Sequence, residues 1–256
     1  MRWLLPPRAD EVDLAAVYAI PADRVPGRPF VRANMISSLD GAIAIRGRSG
    51  GLGGPADQRL YDTLRSLTDV VLVGAGTMRT ERYGPVQVDD TARAARRARG
   101  QSPVPPIAVV TRSCHLDWAS PFFVEAQARP LIFTTADADA DAVARASDAA
   151  DVVVCGDTAV DLGRAVRELA RRGAKSVLVE GGPGLNAQLV DKGLLDELCL
   201  TLSPRLVAGT GPRVLAGHEL AETLGLDVIH VLEEDGFLLL RLQPSAGSRG
   251  AMRESE

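Results

Sequence analysis

Aromatic residues are scarce in this chain of 256 residues, where they make up only 4% of the total. The core must therefore be built from the aliphatic residues that dominate the 46% hydrophobic fraction. That fraction is sufficient for one large domain or two small ones. We expect a single domain over residues 1–243, followed by a disordered tail over 244–256 that is rich in Ser, Gly and charged residues.

The chain also has no excess of positive charge, since 29 Lys and Arg face 33 Asp and Glu. A net charge of −4 argues against a nucleic-acid partner. No apolar run approaches the roughly 18 residues that cross a membrane, and the first residues are too Pro-rich for a signal peptide. We therefore expect a cytoplasmic protein with no membrane partner.

Cysteine and histidine number only three each. Cys114, Cys155 and Cys199 form no CxxC pair, and this is typical of buried thiols in a reducing compartment. The histidines have no metal-ligand spacing, so we expect no metal. The chain also lacks the GxSxG turn of serine hydrolases and the zinc-deaminase pattern.

Short apolar runs alternate with segments of helical spacing along most of the chain. This alternation predicts an α/β fold with a largely parallel, two-sided sheet. The predicted strands are Phe30–Ile36, Val70–Gly74, Ile107–Thr111, Leu131–Thr134, Val152–Cys155, Ser176–Val179, Glu197–Ser203 and Gly236–Leu242. The predicted helices are Pro55–Leu67, Ala138–Ala149, Leu162–Arg172 and Leu185–Lys192, with a further surface helix inside a mobile segment over 89–106. We expect an irregular stretch over 204–234 and antiparallel pairing of the last two strands.

A glycine-rich turn follows the strand Ser176–Val179 directly. Glu180 comes first, and Gly181, Gly182 and Gly184 separate it from the next helical segment. The first N–H groups of a helix lack partners and lie at the positive end of its dipole, so they favour an anion. We therefore expect a phosphate or pyrophosphate at this turn, with Glu180 at the ligand edge of the sheet.

Two further strands end in groups that suit phosphate. Gly74 precedes Thr77, whose hydroxyl can cap a helix, although this turn lacks the third glycine of the dinucleotide fingerprint. Thr111, Arg112 and Ser113 supply two hydroxyls and a guanidinium, which suit the 2′-phosphate that distinguishes NADP from NAD. An ordinary polar loop is the alternative interpretation of the second group.

Polar residues in the first third of the chain form another candidate site. Asn34 lies inside an apolar strand and needs hydrogen-bond partners, which a ligand can supply. Asp40 and Gly41 follow it, where a simple β-turn is the alternative. Ser49 opens a glycine-rich loop, and Arg65 lies beside the apolar face of the first predicted helix, where it can point toward a ligand or toward solvent.

Four of these segments resemble, in the same order, the bacterial riboflavin-biosynthesis pyrimidine reductase family, the reductase domain of the bifunctional deaminase–reductase. They are residues 34–44, Ser49 with its glycine loop, residues 64–77 and residues 179–186. The resemblance implies the dihydrofolate-reductase-like fold, an α/β/α sandwich on a mixed, mostly parallel sheet. It also implies a homodimer that uses NADPH to reduce the ribosyl group of a phosphoribosylamino-pyrimidinedione to the ribityl form.

The resemblance also implies roles for individual residues. Asn34, Ser49, Arg65 and Glu180 would bind the substrate, with Arg65 at its phosphate. Asp40 or Glu180 would act as a general acid or base in opening the ribose ring. The implied cofactor contacts are Gly74, Thr77, Glu81, Thr111, Arg112, Ser113, Gly156, Gly181, Gly182, Pro183, Gly184, Leu185 and Asn186.

The chain departs from the family pattern after Thr77. The family has an acidic pair, a proline and an arginine here, whereas this chain has Arg82 and Tyr83. The family's zinc deaminase domain is also missing, so we expect no deamination. A dihydrofolate or pterin reductase on the same fold is an alternative that would need a proton from Asp57 or Asp62. A non-catalytic NADP-binding sensor is an alternative of another class.

Overall fold

A computed structural model describes residues 1–8, 11–22 and 25–247 of the chain. The described residues form ten strands: β1 Arg2–Leu5, β2 Phe30–Ser38, β3 Val70–Gly74, β4 Ile107–Val110, β5 Leu131–Thr134, β6 Asp151–Val154, β7 Ser176–Val179, β8 Glu197–Ser203, β9 Leu226–Glu234 and β10 Phe237–Pro244. They also form eight α-helices: α1 Leu14–Val17, α2 Pro55–Leu67, α3 Ala75–Glu81, α4 Asp90–Ala98, α5 Pro121–Val124, α6 Ala140–Ala149, α7 Leu162–Arg171 and α8 Pro183–Asp191. Each predicted strand and helix is confirmed, and no end shifts by more than two residues.

The chain divides into two compact units. The first unit comprises Met1–Ala19, Val31–Leu64 and Val179–Glu256, and the second comprises Ile20–Phe30 and Arg65–Leu178. In the first unit the strand order is β1-β9-β10-β8-β2. The β1, β9, β10 and β8 strands pair in antiparallel fashion, and β8 pairs with β2 in parallel. The predicted antiparallel pairing of the last two predicted strands is therefore confirmed.

The second unit has a parallel arrangement. Its strand order is β7-β3-β4-β5-β6, and the pairs from β3 to β6 are all parallel. Aliphatic side chains of β3 to β5 form the core with Phe122 and Met78, as the low aromatic content predicts. These strands are continuous apolar runs whose side chains are buried on both faces of the sheet.

The prediction of an irregular stretch over 204–234 is wrong for residues 226–234, which form β9. This strand pairs with β10 through a tight turn at Asp235 and Gly236, whose φ angles are +52° and +81°. Two positive φ angles are characteristic of the type I′ hairpin turn that Asp-Gly favours. Pro244, the first residue of the predicted tail, closes β10, and Ser245 donates its N–H to the carbonyl of Gly225. The rest of that tail, 248–256, lies outside the described residues.

The segment over 89–106, which we expected to be mobile, contains the predicted surface helix as α4. Asp89 caps it by accepting a hydrogen bond from the N–H of Ala92. One side chain of this helix, that of Arg96, is completely buried. An arginine that is fully buried must have hydrogen-bond partners in the protein, and the segment is thereby attached to its unit.

The two faces of β8 reverse the usual pattern of strand burial. The polar side chains of Glu197, Thr201 and Ser203 are buried, whereas the leucines between them are half-buried. Three cross-strand pairs of leucines therefore line one face of β8 and β10, which we call the leucine face: Leu198 with Leu242, Leu200 with Leu240, and Leu202 with Leu238. Of the six, only Leu242 is fully buried among the described residues.

The opposite face of the same sheet holds a buried ionic cluster. The carboxylate of Glu197 accepts hydrogen bonds from Nε of Arg32 and, at 2.7 Å, from Nε of Arg241. Burial raises the pKa of Glu197, but the two guanidinium groups outweigh it and lower the pKa below its usual value. Arg32 also donates to the carbonyl of Tyr18 and Arg241 to that of Val17, so the cluster attaches α1 to the sheet.

Candidate active site

Glu180 directly follows β7 in the chain. It belongs to the first unit and is 7% exposed. Its Oε2 atom accepts a hydrogen bond of 3.2 Å from the hydroxyl group of Tyr61, which lies in the middle of α2. A buried carboxylate requires such donors, because its desolvation is otherwise costly. The structure therefore fixes the position of the carboxylate that the sequence predicts to contact the substrate.

The glycine turn after Glu180 leads directly into α8. Gly181 has a φ of +91°, and the peptide bond between Gly181 and Gly182 is cis. Gly182 is the N-cap of α8, so no side chain caps the first N–H groups of this helix. Pro183 occupies the first helical turn. Helix α8 therefore begins two residues earlier than predicted, because proline favours the first position of a helix. An N-terminus without a side-chain cap can receive an anion.

Asn186 and Leu185 lie in α8 and are both buried. The amide nitrogen of Asn186 donates to the carbonyl of Val214 at 3.1 Å, and the N–H of Ala216 donates to the carbonyl of Pro183 at 3.2 Å. The loop after β8 therefore packs along the first turn of α8. Asn186 fixes this loop, a contact that the sequence did not indicate, while Gly184 remains exposed.

Asn34 lies in β2 beside Cys199 of β8. Its Oδ1 atom is buried and has no hydrogen-bond partner among the described residues. An unpaired buried acceptor is rare and requires an explanation. The prediction that a ligand supplies a donor to Asn34 is consistent with this geometry.

Asp40 lies at the exposed end of β2, and its carboxylate is occupied by protein donors. The hydroxyl of Ser38 and the N–H groups of Val207 and Ala208 all donate to it. These hydrogen bonds, with that from Ser38 first, lower the pKa of Asp40. Asp40 thereby fixes the loop after β8, and its role as a general acid or base stays a prediction.

Ser49 begins a single 3₁₀ turn, Ser49–Gly51, and its carbonyl accepts a hydrogen bond from the N–H of Leu52. The following loop requires glycine at position 54, since a Cβ there would lie 2.8 Å from the ring of Phe237. The glycine loop therefore approaches the sheet closely before α2 begins at Pro55. Asp57 in the first turn of α2 is half-buried, and burial raises the pKa of its carboxyl group.

Arg65 occupies the last turn of α2, in the second unit, and is only 8% exposed. Its guanidinium carbon lies 5.8 Å from the centre of the Tyr83 ring. The alternative of an arginine side chain in solvent is therefore wrong.

Gly74, Thr77 and Glu81 lie around α3. The structure corrects the predicted cap, because Gly74 is the N-cap and Thr77 lies within the helix. Thr77 and Glu81 are half-buried, and the space beside Gly76 is open, with no atom within 4 Å of where a Cβ would lie. The predicted cofactor contacts at Gly74, Thr77 and Glu81 stay a prediction.

Thr111, Arg112 and Ser113 follow β4, as predicted. Thr111 is buried, while the side chain of Arg112 is exposed. The carbonyl of Arg112 accepts hydrogen bonds from the hydroxyls of Thr134 and Thr135, so its backbone is fixed while its guanidinium faces solvent. A fixed backbone with an exposed guanidinium suits the binding of a phosphate.

Gly156 follows β6 and has a φ of +127°. A Cβ at this position would lie 2.1 Å from the carbonyl oxygen of Ala159. The loop after β6 itself therefore requires glycine here, whether or not a cofactor approaches.

The predicted site residues thus fall into two sets. The first unit contains Asn34, Asp40, Ser49, Glu180, Gly181, Gly182, Pro183, Gly184, Leu185 and Asn186, and the second contains Arg65, Gly74, Thr77, Glu81, Thr111, Arg112, Ser113 and Gly156. Tyr61 was not among the predicted site residues, although it lies one helical turn before Arg65. Among the described residues, no helix is long and apolar enough to span a membrane.

Comparisons with known proteins identify the family of the chain. The model of the RibD C-terminal domain family matches residues 29–236. A 2,5-diamino-6-ribosylamino-4(3H)-pyrimidinone 5′-phosphate reductase from Archaeoglobus fulgidus is 28% identical over 209 residues, which are 81% of this chain and 95% of that protein. A reductase of the same name from Aquifex aeolicus is 32% identical over 198 residues, or 75% of this chain and 84% of that protein.

A solved structure extends the likeness to the fold. The crystal structure of a pyrimidine reductase-like protein from Corynebacterium diphtheriae has a TM-score of 0.81 and 25% sequence identity, and covers 91% of this chain and 99% of that one. The predicted dihydrofolate-reductase-like fold is thereby confirmed. The chain belongs to the RibD C-terminal domain family and is a reductase of that family.

Proposed function

We propose that this protein uses NADPH to reduce a phosphoribosylamino-pyrimidine in riboflavin biosynthesis. The observation that carries the proposal is the buried Glu180 carboxylate, held by Tyr61 immediately before the uncapped N-terminus of α8. The curated relatives are named for the 2,5-diamino-pyrimidinone phosphate. That compound differs from the pyrimidinedione expected from the sequence in having an amino group at ring position 2, and we propose it as the first substrate to test.

Each unit, taken by itself, has groups that suit the phosphates of a nicotinamide dinucleotide. In the second unit, the open turn at Gly76 and the exposed guanidinium of Arg112 suit phosphate groups, with Thr111 and Ser113 beside Arg112. In the first unit, Gly182 leaves the start of α8 without a side-chain cap. The cofactor, when bound, supplies a hydride from C4 of its nicotinamide ring.

The residues of the chain bind and orient the substrate, and they move a proton. We assign the substrate phosphate to Arg65, because a guanidinium binds phosphate through two parallel hydrogen bonds. Asn34 and Ser49 bind the remaining polar groups of the substrate. Glu180 takes and returns the proton as the ribose ring opens: the C1′–O bond breaks, the ring oxygen becomes the C4′ hydroxyl and a C1′=N imine forms. Reduction to the ribityl form would then place the hydride on C1′ and a proton from solvent on the adjoining nitrogen.

Asp57 favours a second candidate function, reduction of a pterin or folate. Such a reaction delivers a proton to a ring nitrogen, and Asp57 is a half-buried acid on α2 with a raised pKa. A carboxyl group with a raised pKa is a better proton donor near neutral pH. Arg65 would then bind a glutamyl carboxylate in place of a phosphate.

We also propose that the protein is a cytoplasmic homodimer in which the leucine face covers its counterpart on a second copy. The face has an apolar centre, and an ion pair between Arg2 and Glu233 lies in the two strands beyond β10. An apolar centre with a charged rim is typical of an interface between proteins. In a symmetric dimer, the same surface patch of each copy forms the interface. Three free, buried cysteines support a reducing compartment.

The test is NADPH oxidation by the purified protein with the diaminopyrimidinone phosphate, the pyrimidinedione phosphate and dihydrofolate, each in separate assays. We expect the highest kcat/KM with one of the two ribosylamino-pyrimidines. A preference for dihydrofolate would support the second candidate and contradict the proposal. Tight NADPH binding without turnover of any of the three would favour a sensor.

A further inference from the structure

The C-terminal turn of α2 is held by an arginine from another helix. Arg96 of α4 is completely buried, and its Nη1 atom donates to the carbonyls of Arg65, Ser66 and Thr68 at 3.2, 3.1 and 2.6 Å. Its Nε atom donates to the carbonyl of Ser102 at 2.8 Å. The last carbonyls of a helix have no partner within the helix, and a cation there also interacts favourably with the dipole. Arg96 therefore fixes the backbone that carries Arg65.

Two more side chains of the same segment strengthen this cap. Arg99 donates to the carbonyl of Ser66 at 2.7 Å, and Gln101 donates to the carbonyl of Leu67 at 3.0 Å. Each of these carbonyls belongs to the last turn of α2. The helix end is thus fixed by several donors from this one segment.

The guanidinium of Arg65 has a separate contact, with the ring of Tyr83 at 5.8 Å. Arg82 is the C-cap of α3 and has a left-handed φ of +52°, and the N–H of Tyr83 donates back to the carbonyl of Met78 at 3.1 Å. This reversal of the chain places the Tyr83 ring beside Arg65. An arginine over an aromatic ring is attracted to the ring face and loses freedom to rotate.

We infer that Tyr83 is a positioning residue that holds Arg65 for a phosphate monoester dianion. The inference rests on the proposed function, since it concerns the same substrate phosphate. Arg96 fixes the backbone of Arg65 and Tyr83 orients its guanidinium, so the side chain loses little further entropy when a phosphate binds. Affinity gained by such preorganisation appears in binding constants and not in the chemical step.

Tyr83 follows α3 closely and belongs to the same compact unit as Arg65. Tyr83 contributes no charge of its own, so its effect on an anion acts through Arg65.

The test compares Tyr83→Leu, Tyr83→Phe and the wild-type protein. For each, KM and kcat are measured with the diaminopyrimidinone phosphate, and the dissociation constant of ribose 5-phosphate is measured by calorimetry. We expect Tyr83→Leu to raise both KM and the dissociation constant about three- to ten-fold, with kcat little changed. Tyr83→Phe keeps the ring and should restore both constants. Trp3→Leu removes a similar contact with Arg8, at 5.0 Å, and should change neither constant.

Three results would overturn the inference. The first is a Tyr83→Leu variant with unchanged constants, the second is a Phe variant as impaired as the Leu variant, and the third is a wild-type protein that does not bind ribose 5-phosphate. A wild-type protein that binds ribose 5-phosphate in a Tyr83-dependent manner but reduces none of the pyrimidines would contradict the proposed function and still support the inference.

Discussion

The hydroxyl of Tyr61 and the carboxylate of Glu180 are joined by a hydrogen bond of 3.2 Å, although the two residues are 119 positions apart in the chain. Tyr61 lies on α2 and Glu180 at the end of β7, within the same compact unit. The bond places a proton donor next to the one buried carboxylate to which we assign proton transfer. Both residues should therefore affect turnover, and the pair provides the first prediction.

Replacing Tyr61 with Phe should lower kcat about ten-fold, because a hydrogen bond to a charged group contributes roughly 1.5 kcal/mol. The dissociation constant of NADPH should not change. Steady-state NADPH oxidation and fluorescence titration measure the two quantities. Tyr18→Phe is the matched control, because the Tyr18 hydroxyl is buried without a partner among the described residues. Equal kcat values for Tyr61→Phe and wild type would remove Tyr61 from the mechanism.

Replacing Asn34 with Leu should separate stability from function. The buried Oδ1 atom lacks a partner among the described residues, so its removal should raise the free energy of unfolding by about 1 kcal/mol. The same change should raise the substrate KM about ten-fold, because a ligand donor loses its acceptor. Urea denaturation and steady-state kinetics test these effects. Asn186→Leu, which breaks the bond to Val214, should instead destabilise the protein. A less stable Asn34→Leu variant with normal KM would contradict the assignment.

Asp40 should affect stability in a way that depends on pH. Its carboxyl pKa is lowered by Ser38 and by the N–H groups of Ala208 and Val207. A lowered pKa in the folded state means that its contribution is present above the unfolded pKa of about 3.9 and is lost as pH falls through the folded value. The Tm difference between wild type and Asp40→Asn should therefore be largest near neutral pH and shrink below about pH 4. Loss of kcat at an unchanged Tm would instead support a catalytic Asp40.

Protonation of His230 should give the folding stability a second dependence on pH, at a higher pH than that of Asp40. Its ring lies between those of Trp3 and Tyr18, at centroid distances of 5.5 and 5.0 Å. Burial, with repulsion from Arg241, lowers its pKa to about 4, against an opposing effect of Glu197. The unfolded chain binds a proton below about pH 6.5, whereas the folded chain does not, so stability should fall by about 3 kcal/mol between about pH 6.5 and about pH 4.

The measurement for His230 is chemical denaturation across that pH range. His230→Phe should show a flatter profile than wild type, because it removes the titrating group. His218→Gln, a change at an exposed histidine, should keep the wild-type profile. Identical profiles for His230→Phe and wild type would show that the buried imidazole does not govern the acid sensitivity.

The leucine face should determine the oligomeric state. Leu200→Glu places a charge at its centre and should convert a dimer into a monomer, because a charge buried in an apolar interface costs several kcal/mol, on the order of the penalty for an unpaired ion. Light scattering coupled to size exclusion measures the mass. Leu206→Glu, at an exposed leucine outside this face, should leave the mass unchanged. A wild-type monomer, or a Leu200→Glu dimer, would contradict the proposed interface.

Much of the fold could be predicted from the sequence, because the parallel strands are continuous apolar runs bounded by glycine or polar residues. β3, β5, β7 and β8 have the predicted ends. β9 was missed because its residues 227–229 are exposed and it lacks a clear alternation. The Asp-Gly turn at positions 235–236 was the signal that could have revealed this hairpin.

The site was predictable where it depends on local sequence. Glu180 and its glycines follow a strand, so their place at the end of that strand could be predicted from the local pattern. Tyr61 and Arg96 could not be identified in that way, because their partners are distant in sequence and no local pattern indicates them. The contacts of Asp40 could not be predicted for the same reason, since the N–H groups it binds are more than 160 residues away in the chain.

The most direct test of the central claim is transfer of deuterium from NADPH labelled at C4 of the nicotinamide. The account predicts deuterium at C1′ of the ribityl product, detected by NMR, when the diaminopyrimidinone phosphate is the substrate. The same experiment with Glu180→Gln should give the same labelled position at a rate lower by about a hundred-fold, the contribution typical of a general acid or base. Deuterium in the pyrimidine ring, or a product without deuterium, would contradict the account.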